Sequence, residues 1–446
     1  MAKFVQRQLS RLMGESLTAS LMRGGSTVMG TFLANKALTL ISAVLLARLL
    51  GTEGYGKYAF AIAILNLITI PAQMGVPRLS MREIARSCAR SEWALLRGFR
   101  RRALQMSLIS TIVGAVVIGG GIFVFSDGLE AFDAMTFAAA LFLLPLFVGL
   151  ALASSFLRGL RKVVHGNWPN NVLQPALFVV FLFAMAQGLS APSAVLLNAL
   201  SNAAALGVTI WLLVKYWPRE TSAVEPEYRT SDWAKSLLPF SLLAGARLIT
   251  QKSDIIMLGA MTSAASVGIY NIAIQAAALV AIPLSASNAV LAPNIARLHA
   301  LGDMRGLQRL LTNTTMVVSG LSLIGCIILV GLGQWLLQLF FGNDFIGAYG
   351  AMAVLAVGQV INASAGSIGQ FLSMTGHEKD TVKVIGGSAI LNIVLNAILI
   401  PPYGILGAAI ATSASLATWN IALSILLYRR LGLIAGPVGK FLAKRA

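Results

Sequence analysis

Stretches of about twenty apolar residues recur along almost the whole sequence, separated only by short polar turns, and this recurrence limits the possible folds more than any single motif. A bilayer core about 30 Å thick takes roughly 20 apolar residues per spanning helix. Twelve such segments are present, at 27–50, 56–77, 104–126, 134–157, 168–188, 191–214, 236–258, 268–293, 311–340, 345–370, 384–400 and 403–428. With 57% of residues hydrophobic and 11% charged, the chain has too little polar material to wet the surface of a soluble domain. The expected fold class is an all-α polytopic membrane protein with twelve transmembrane helices.

The basic residues are unevenly spread between these segments. With the N-terminus in the cytoplasm, 29 of the 34 Lys and Arg fall on the cytoplasmic side, eight of them (Arg78 to Arg102) between segments 2 and 3. The other five, Lys36, Arg48, Lys57, Arg247 and Lys252, lie in or at the edge of apolar segments, so the external loops carry essentially none. This follows the positive-inside rule and predicts a multi-pass protein with both termini cytoplasmic. Basic loops beside anionic membrane lipids account for the net charge of +18 without a nucleic-acid partner. The first 26 residues, basic and moderately amphipathic, are expected to form an interfacial helix.

The sequence repeats itself. GKY at 56–58 returns as GIY at 268–270, and Ile70-Pro71 as Ile282-Pro283, both at an offset of 212. IAR at 84–86 returns at 295–297, offset 211. Three matches in one order at nearly one offset indicate two pseudo-symmetric six-helix bundles. The expected division is a basic N-terminal segment (1–26), a first bundle (27–216), a linker (217–235), a second bundle (236–428) and a basic tail (429–446). Because six is even, both bundles enter the membrane in the same orientation and should face each other across a cleft.

Lys36 and Arg247 are the anomalous cations. They lie about 14 Å and 16 Å from the cytoplasmic ends of segments 1 and 7 at 1.5 Å per residue, and 211 positions apart, so each bundle offers one cation at an equivalent depth. A cation at mid-membrane costs roughly 2.5 to 3.5 kcal/mol on insertion scales, so neither is expected to face lipid. Asp254 is the one acid inside a segment, seven residues after Arg247 and on the same helix face. It can pair with Lys252, Arg247 or Lys36 but cannot neutralise all three, which leaves a cationic cavity or a structural network. Lys252 either lines that cavity or pairs with Asp254. Arg48 and Lys57 sit where segment 1 leaves the membrane and segment 2 re-enters it, where a long side chain can anchor at the interface as well as meet a ligand. Asn198 with Asn202, Asn271 with Gln275, Gln359 with Asn362, and Asn392 with Asn396 each form a polar stripe at helical spacing. Such stripes either line a wet cavity or join helices.

Enzymatic chemistry has little to stand on. The external loops are short, the longest being SDGLEAFDA (126–134), and no Gly-rich phosphate loop, HExxH, Ser-His-Asp order or carboxylate pair is present. Cys88 and Cys326 are too few and too far apart for a metal site or disulfide framework, and His165, His299 and His377 fall in loops without metal-ligand neighbours. No catalytic residue, metal or cofactor is expected.

LLARLLGTEGYGKYAFAIAIL (45–65), GVPRLSMREIAR (75–86), SDIIMLG before VGIYNIA, and LNAILIPPYGILGAAIATSAS (395–415) resemble Wzx-type polysaccharide flippases, within the superfamily of multidrug, oligosaccharidyl-lipid and polysaccharide exporters. The resemblance covers nearly the whole chain. It implies two bundles around a central cavity that alternates between the membrane faces, carrying a polyprenyl-diphosphate-linked oligosaccharide from the inner to the outer leaflet of the bacterial cytoplasmic (inner) membrane. The product would serve exopolysaccharide, capsule or O-antigen synthesis. The implied partners are an undecaprenyl diphosphate carrier, membrane lipids, and a polysaccharide polymerase and glycosyltransferases. It also places cavity cations at Lys36 and Arg247 and an acid for ion coupling at Asp254. The substrate-binding set expected from residues and resemblance together is Lys36, Arg48, Arg247, Lys252, Asn271, Gln275, Gln359 and Asn362. A cation-coupled drug exporter of the same superfamily and a membrane glycan polymerase or ligase are the alternatives.

Overall fold

A computed structural model describes residues 15–125, 133–185 and 187–436. Residues 1–14, 126–132, 186 and 437–446 lie outside the described residues, as do a number of side chains within helices, among them those of 15–28, 121–125 and most of 235–250, Arg247 included.

The described residues are almost entirely helical. Helix α1 (Glu15–Gln73) is followed by α2 (Val76–Arg90), α3 (Trp93–Phe125) and α4 (Ala134–Gly159). Then come α5 (Val163–Trp168), α6 (Gln174–Ala184) and α7 (Ala191–Tyr216), which complete the first bundle. The second contains α8 (Thr230–Met261), α9 (Ala264–Ala277), α10 (Ile282–Ala300), α11 (Met304–Phe341), α12 (Tyr349–Ala365), α13 (Ile368–Met374) and α14 (Glu378–Leu431). Seven helical runs, among them α1, α4, α7, α11 and α14, are long and apolar enough to cross a membrane. Apolar side chains on their outer faces, such as Leu108, Ile112 and Val116 of α3 and Ile324, Ile327 and Ile328 of α11, are exposed at helical spacing, the pattern of a surface that meets lipid.

The twelve apolar segments are helical among the described residues, but segments 5, 8 and 10 are interrupted, segment 8 by a 3-10 turn, Ala278–Ala281, between α9 and α10. Helix α1 carries segments 1 and 2 on two arms that meet at Gly51, whose φ of 66° reverses the chain. Helix α14 does the same for segments 11 and 12 at Gly404, φ 53°, just after Pro401-Pro402. The expected interfacial helix is not separate from Glu15 onward, because α1 runs unbroken into segment 1. Segment 5 contains a π turn, Pro169–Leu173, between α5 and α6. Segment 10 ends at Ala365 rather than 370, where Gly366 takes a φ of 81°.

Capping fixes several helix starts. The Asp133 carboxylate accepts from the Thr136 backbone N–H at 3.0 Å at the start of α4, Ser190 and Ser193 form a capping box on α7, and Ser263 accepts from Ser266 N–H at 3.2 Å on α9.

The cores show how the bundles join. At the end away from the basic loops, one core crosses both bundles, from Tyr55, Tyr58 and Phe60 of α1 through Phe178 of α6 to Tyr270 of α9 and Phe345. Tyr58 stacks on Phe178 with centroids 6.4 Å apart, and Phe345 meets Tyr55 edge-on at 6.3 Å. At the basic-loop end the cores are separate: Leu79, Ile84, Leu96 and Phe99 with Trp233 of α8 form one, and Ile295, Leu307, Phe371 and Leu427 another. The bundles thus share one core at one end, while at the other their cores are distinct and only the start of α8 packs into the first.

The linker is docked rather than slack. Residues 219–222 form a short 3-10 turn, Glu227 N–H donates to the Ala94 carbonyl at 3.0 Å, and Arg97 donates to the carbonyls of Ser222 and Val224. Trp217 and Tyr228 lie under the guanidinium groups of Arg100 and Arg102.

Candidate functional site

A chamber of about 470 Å³ lies in the second bundle, with Lys36 of the first bundle at its wall. Helix α1 contributes Lys36, α8 contributes Gln251, Lys252 and Asp254, and α9 contributes Gln275. Helix α12 adds Gln359 and Asn362, and α14 adds Ser388, Asn392, Thr412, Ser415 and Trp419. A second chamber of about 220 Å³ shares Lys252 and Gln275 with it and continues along Ser42, Tyr55, Tyr58, Gln174, Asn198 and Asn271. Charged, amide and hydroxyl groups are thus gathered with apolar side chains around this space.

Asp254 is only 4% exposed, and its oxygens are occupied by neutral donors. Oδ2 accepts from the Tyr270 hydroxyl at 2.9 Å and the Thr412 hydroxyl at 3.4 Å, and Oδ1 accepts from the Ile255 backbone N–H at 2.8 Å. No ion pair among the described residues involves Asp254, Lys36 or Lys252. The carboxylate therefore meets neutral donors directly, with neither lysine within 4 Å of it among the described residues. These hydrogen bonds hold the Asp254 side chain in place, while the Lys36 and Lys252 side chains line the chamber. Around the acid, Ser253 donates to Asn392 Oδ1 at 2.8 Å, Asn396 Nδ2 donates to the same oxygen at 3.0 Å, and Asn392 Nδ2 reaches Thr412 at 3.4 Å. Further along, Asn420 Nδ2 donates to Asn362 Oδ1 at 3.0 Å, and Asn362 Nδ2 to Gln359 Oε1 at 3.4 Å.

The first bundle holds a neutral counterpart. Tyr58 stands 212 positions before Tyr270, and Ser42 stands 212 before Asp254. The Tyr58 hydroxyl accepts from Asn198 Nδ2 at 2.8 Å, where Tyr270 donates to a carboxylate. Gln174 Nε2 donates to Asn198 Oδ1 at 3.1 Å, and Asn202 Nδ2 donates to the same oxygen at 2.8 Å. The repeat thus places an acid in one bundle and a hydroxyl in the other.

Six of the nine residues expected at the site, Lys36, Lys252, Asp254, Gln275, Gln359 and Asn362, line one chamber. Asn271 lines the adjoining one, with Nδ2 donating to the Tyr55 hydroxyl at 3.1 Å. Arg48 is placed elsewhere: Nε donates to the Phe340 carbonyl at 2.7 Å and Nη2 to the Leu339 carbonyl, which ties the turn of α1 to the C-terminus of α11. Favourable helix-end charge and unused carbonyls explain that position. Lys57 pairs with Glu53 at 2.7 Å on the surface, as an interfacial residue does. The Arg247 side chain lies outside the described residues. The sequence reading missed Tyr270, Thr412, Gln174 and Trp419; the recurring Gly-x-Tyr of the repeat was the available signal for Tyr270. One helix is also pinned here: Asn35 Nδ2, next to Lys36, donates to the Asn171 carbonyl in the π turn at 3.0 Å.

A family model described as polysaccharide biosynthesis protein matches residues 21–299. A Haloferax volcanii protein named "Probable low-salt glycan biosynthesis flippase Agl15" is 23% identical over 395 residues, covering 86% of this chain and 79% of that protein. Among solved structures, an inward-facing multidrug resistance MATE family transporter superposes with a TM-score of 0.74 at 16% identity, covering 89% of this chain and 94% of the other. The lipid II flippase MurJ in an inward closed conformation gives 0.71 at 13% identity, covering 89% and 86%. At these identities the two structures share the fold with this chain.

Proposed function

Because the chain belongs to the polysaccharide biosynthesis protein family, we propose that it is a flippase that carries a lipid-linked oligosaccharide across a cytoplasmic membrane for surface glycan synthesis. Lys36 and Lys252 carry this reading, since both line one polar chamber and neither is paired with a carboxylate among the described residues. A polyprenyl diphosphate brings negative charge that two ammonium groups in a low-dielectric cleft attract strongly. The amides of Gln275, Gln359, Asn362 and Asn271 suit sugar hydroxyls, and Arg247 adds a third cation on α8. The name of the Haloferax volcanii relative supports a glycan cargo.

Asp254 is the coupling group in this scheme. Its Oδ2 is held by two hydroxyls that can each turn from donor to acceptor, so a proton or a monovalent cation taken up there is met by rotation of the Tyr270 or Thr412 hydroxyl. The bodies that rock against each other are 27–216 and 236–428, with the basic loops and both termini in the cytoplasm. Transport proceeds by alternating access, from a cavity that opens where the two cores part to one that opens where they are joined.

The test follows lipid-linked oligosaccharide in the two leaflets of cells lacking the protein, rescued by wild type, Lys36→Ala, Lys252→Ala or Arg247→Ala at matched expression. Glycolipid retained on the inner leaflet without the protein, exported with wild type and retained with the lysine variants, supports the flippase. Normal crossing in the deletion strain removes it and reopens the drug-exporter and polymerase alternatives.

A further inference from the structure

The first bundle holds a cavity of about 430 Å³ that shares no lining residue with the lysine chamber or with the smaller chamber beside it. Its walls are the second arm of α1, the turn into α2, α4, the π turn and α7. Arg78 and Arg158 line it at the end of the basic loops. Arg78 opens the run of cations between segments 2 and 3, and Arg158 is the penultimate residue of α4. The Arg158 guanidinium is set in place by Nη1, which donates to Asn167 Oδ1 at 3.2 Å. Its stem packs on Gly166, where a Cβ would lie 3.0 Å from Arg158 Cγ. No carboxylate lines this cavity or pairs with Arg158 among the described residues, and Glu83 of α2 pairs with Arg82 and Arg86.

The deeper wall has the opposite hydrogen-bonding character. At 1.5 Å per residue, Asn66 lies about 10 Å in from Gln73 at the end of α1, and Asn202 about 21 Å in from the end of α7. The donors there are already engaged within their own helices. Asn66 Nδ2 donates to the Ile62 carbonyl at 2.8 Å and the Thr69 hydroxyl to the Leu65 carbonyl at 2.7 Å. Asn202 Nδ2 donates to the backbone carbonyl and Oδ1 of Asn198 at 2.9 and 2.8 Å. The side-chain oxygens of these three residues are left as acceptors. The cavity thus offers cationic donors at its basic-loop end and neutral acceptors further in. A bare carboxylate or phosphate dianion satisfies the first and has nothing to donate to the second.

We propose that this cavity binds an oxyanion that also carries hydroxyl groups, with the anion at Arg78 and Arg158 and the hydroxyls donating to Asn66, Thr69 and Asn202. Guanidinium forks match the oxygens of a carboxylate or phosphate. Each buried acceptor that gains a hydroxyl partner then favours the polyol over the simple ion. Two sources share this chemistry: an acidic or phosphorylated sugar, and the glycerol phosphate head of an anionic lipid. The site is separate from the lysine chamber and does not rest on the flippase reading.

The probe is glucose 6-phosphate, titrated calorimetrically into the purified full-length protein in phosphatidylcholine nanodiscs, with inorganic phosphate as the comparison. Wild type should bind glucose 6-phosphate at least about threefold more tightly than inorganic phosphate. Arg78→Gln and Arg158→Gln should each weaken both by about tenfold, and Arg158→Lys should recover part of that loss. Thr69→Val, which removes one acceptor, should weaken glucose 6-phosphate by about threefold and leave inorganic phosphate unchanged. Lys36→Ala should leave this binding in place, and thermal midpoints show which variants are folded. Binding that is lost in Lys36→Ala and kept in Arg158→Gln puts the ligand in the lysine chamber and overturns the proposal, while leaving the flippase reading intact. Wild type that does not bind the probe, or that binds it no better than inorganic phosphate and is unaffected by Thr69→Val, overturns it as well. Nanodiscs of phosphatidylglycerol, compared with phosphatidylserine of equal charge, separate the sources. Glucose 6-phosphate affinity lowered in phosphatidylglycerol alone assigns the site to the lipid head, and equal affinity in the two assigns it to an acidic sugar.

Discussion

Gly56 and Gly268 stand 212 positions apart, and each is pressed against the backbone of the other's helix. A Cβ on Gly56 would lie 1.7 Å from the Ala264 carbonyl oxygen, and one on Gly268 would lie 2.2 Å from that of Thr52. Thr52-x-x-x-Gly56 and Ala264-x-x-x-Gly268 are small-residue pairs of the kind that let helices in a membrane approach closely. This crossing of α1 and α9 is a pseudo-symmetric seal between the bundles, at the end where they share one core.

Either Gly56→Leu or Gly268→Leu should pry that seal open. The expected cost is at least about 1 to 3 kcal/mol, the usual range for overpacking, read as a lower midpoint of thermal unfolding. Gly320→Leu, with open space around it, should leave the midpoint in place. A cysteine at Ser42 should also become reactive to a membrane-impermeant thiol reagent from the side away from the basic loops. Unchanged stability and unchanged labelling in both glycine variants would show that the crossing is not a seal.

The acid and its neutral counterpart should separate coupling from scaffolding. Asp254→Asn retains shape and one acceptor for Tyr270, so its stability cost should be about 1 to 2 kcal/mol, yet it should abolish the response of transport to an imposed proton or sodium gradient in vesicles. Tyr58→Phe strips Asn198 of an acceptor at similar cost and should leave the gradient response intact. A gradient response that survives in Asp254→Asn would move coupling elsewhere.

Lys36 and Arg48 lie on the same arm of α1 but should fail in opposite ways. Lys36→Ala should weaken diphosphate binding with little change in thermal midpoint. Arg48→Ala should lower stability by about 1 kcal/mol, discounted for its exposure, and leave binding of inorganic diphosphate as it was. Arg48→Lys should recover only part of the loss, since one ammonium replaces a planar fork that reaches two carbonyls. Isothermal titration and thermal unfolding on the same samples decide it; equal binding loss in both variants would put Arg48 back at the site.

Linker docking gives a proteolytic prediction. A Cβ on Gly98 would lie 1.8 Å from the Glu227 carbonyl oxygen, so Gly98→Ala cannot keep the linker against α3. Trypsin cleavage after Arg229 should accelerate by about tenfold, as local opening becomes cheaper by roughly 1.4 kcal/mol. Cleavage at the wild-type rate would mean that the strap does not depend on this contact.

The sequence by itself determined the membrane class, the twelve segments and the twofold repeat, because a bilayer demands long apolar helices and a duplicated bundle keeps its spacing in the chain. It also singled out Lys36, Lys252 and Asp254, since an ionisable group inside an apolar segment is costly wherever the segment ends up. It left open which neighbour each would meet. Only the tertiary structure gave Asp254 to Tyr270 and Thr412 rather than to a lysine, and turned Arg48 from the cavity to the end of α11. Segment spacing fixes how deep a residue lies but not which way its helix is rotated. That rotation is set by close contacts between distant parts of the chain, such as Gly56 on Ala264 and Asn35 on Asn171, which packing alone decides.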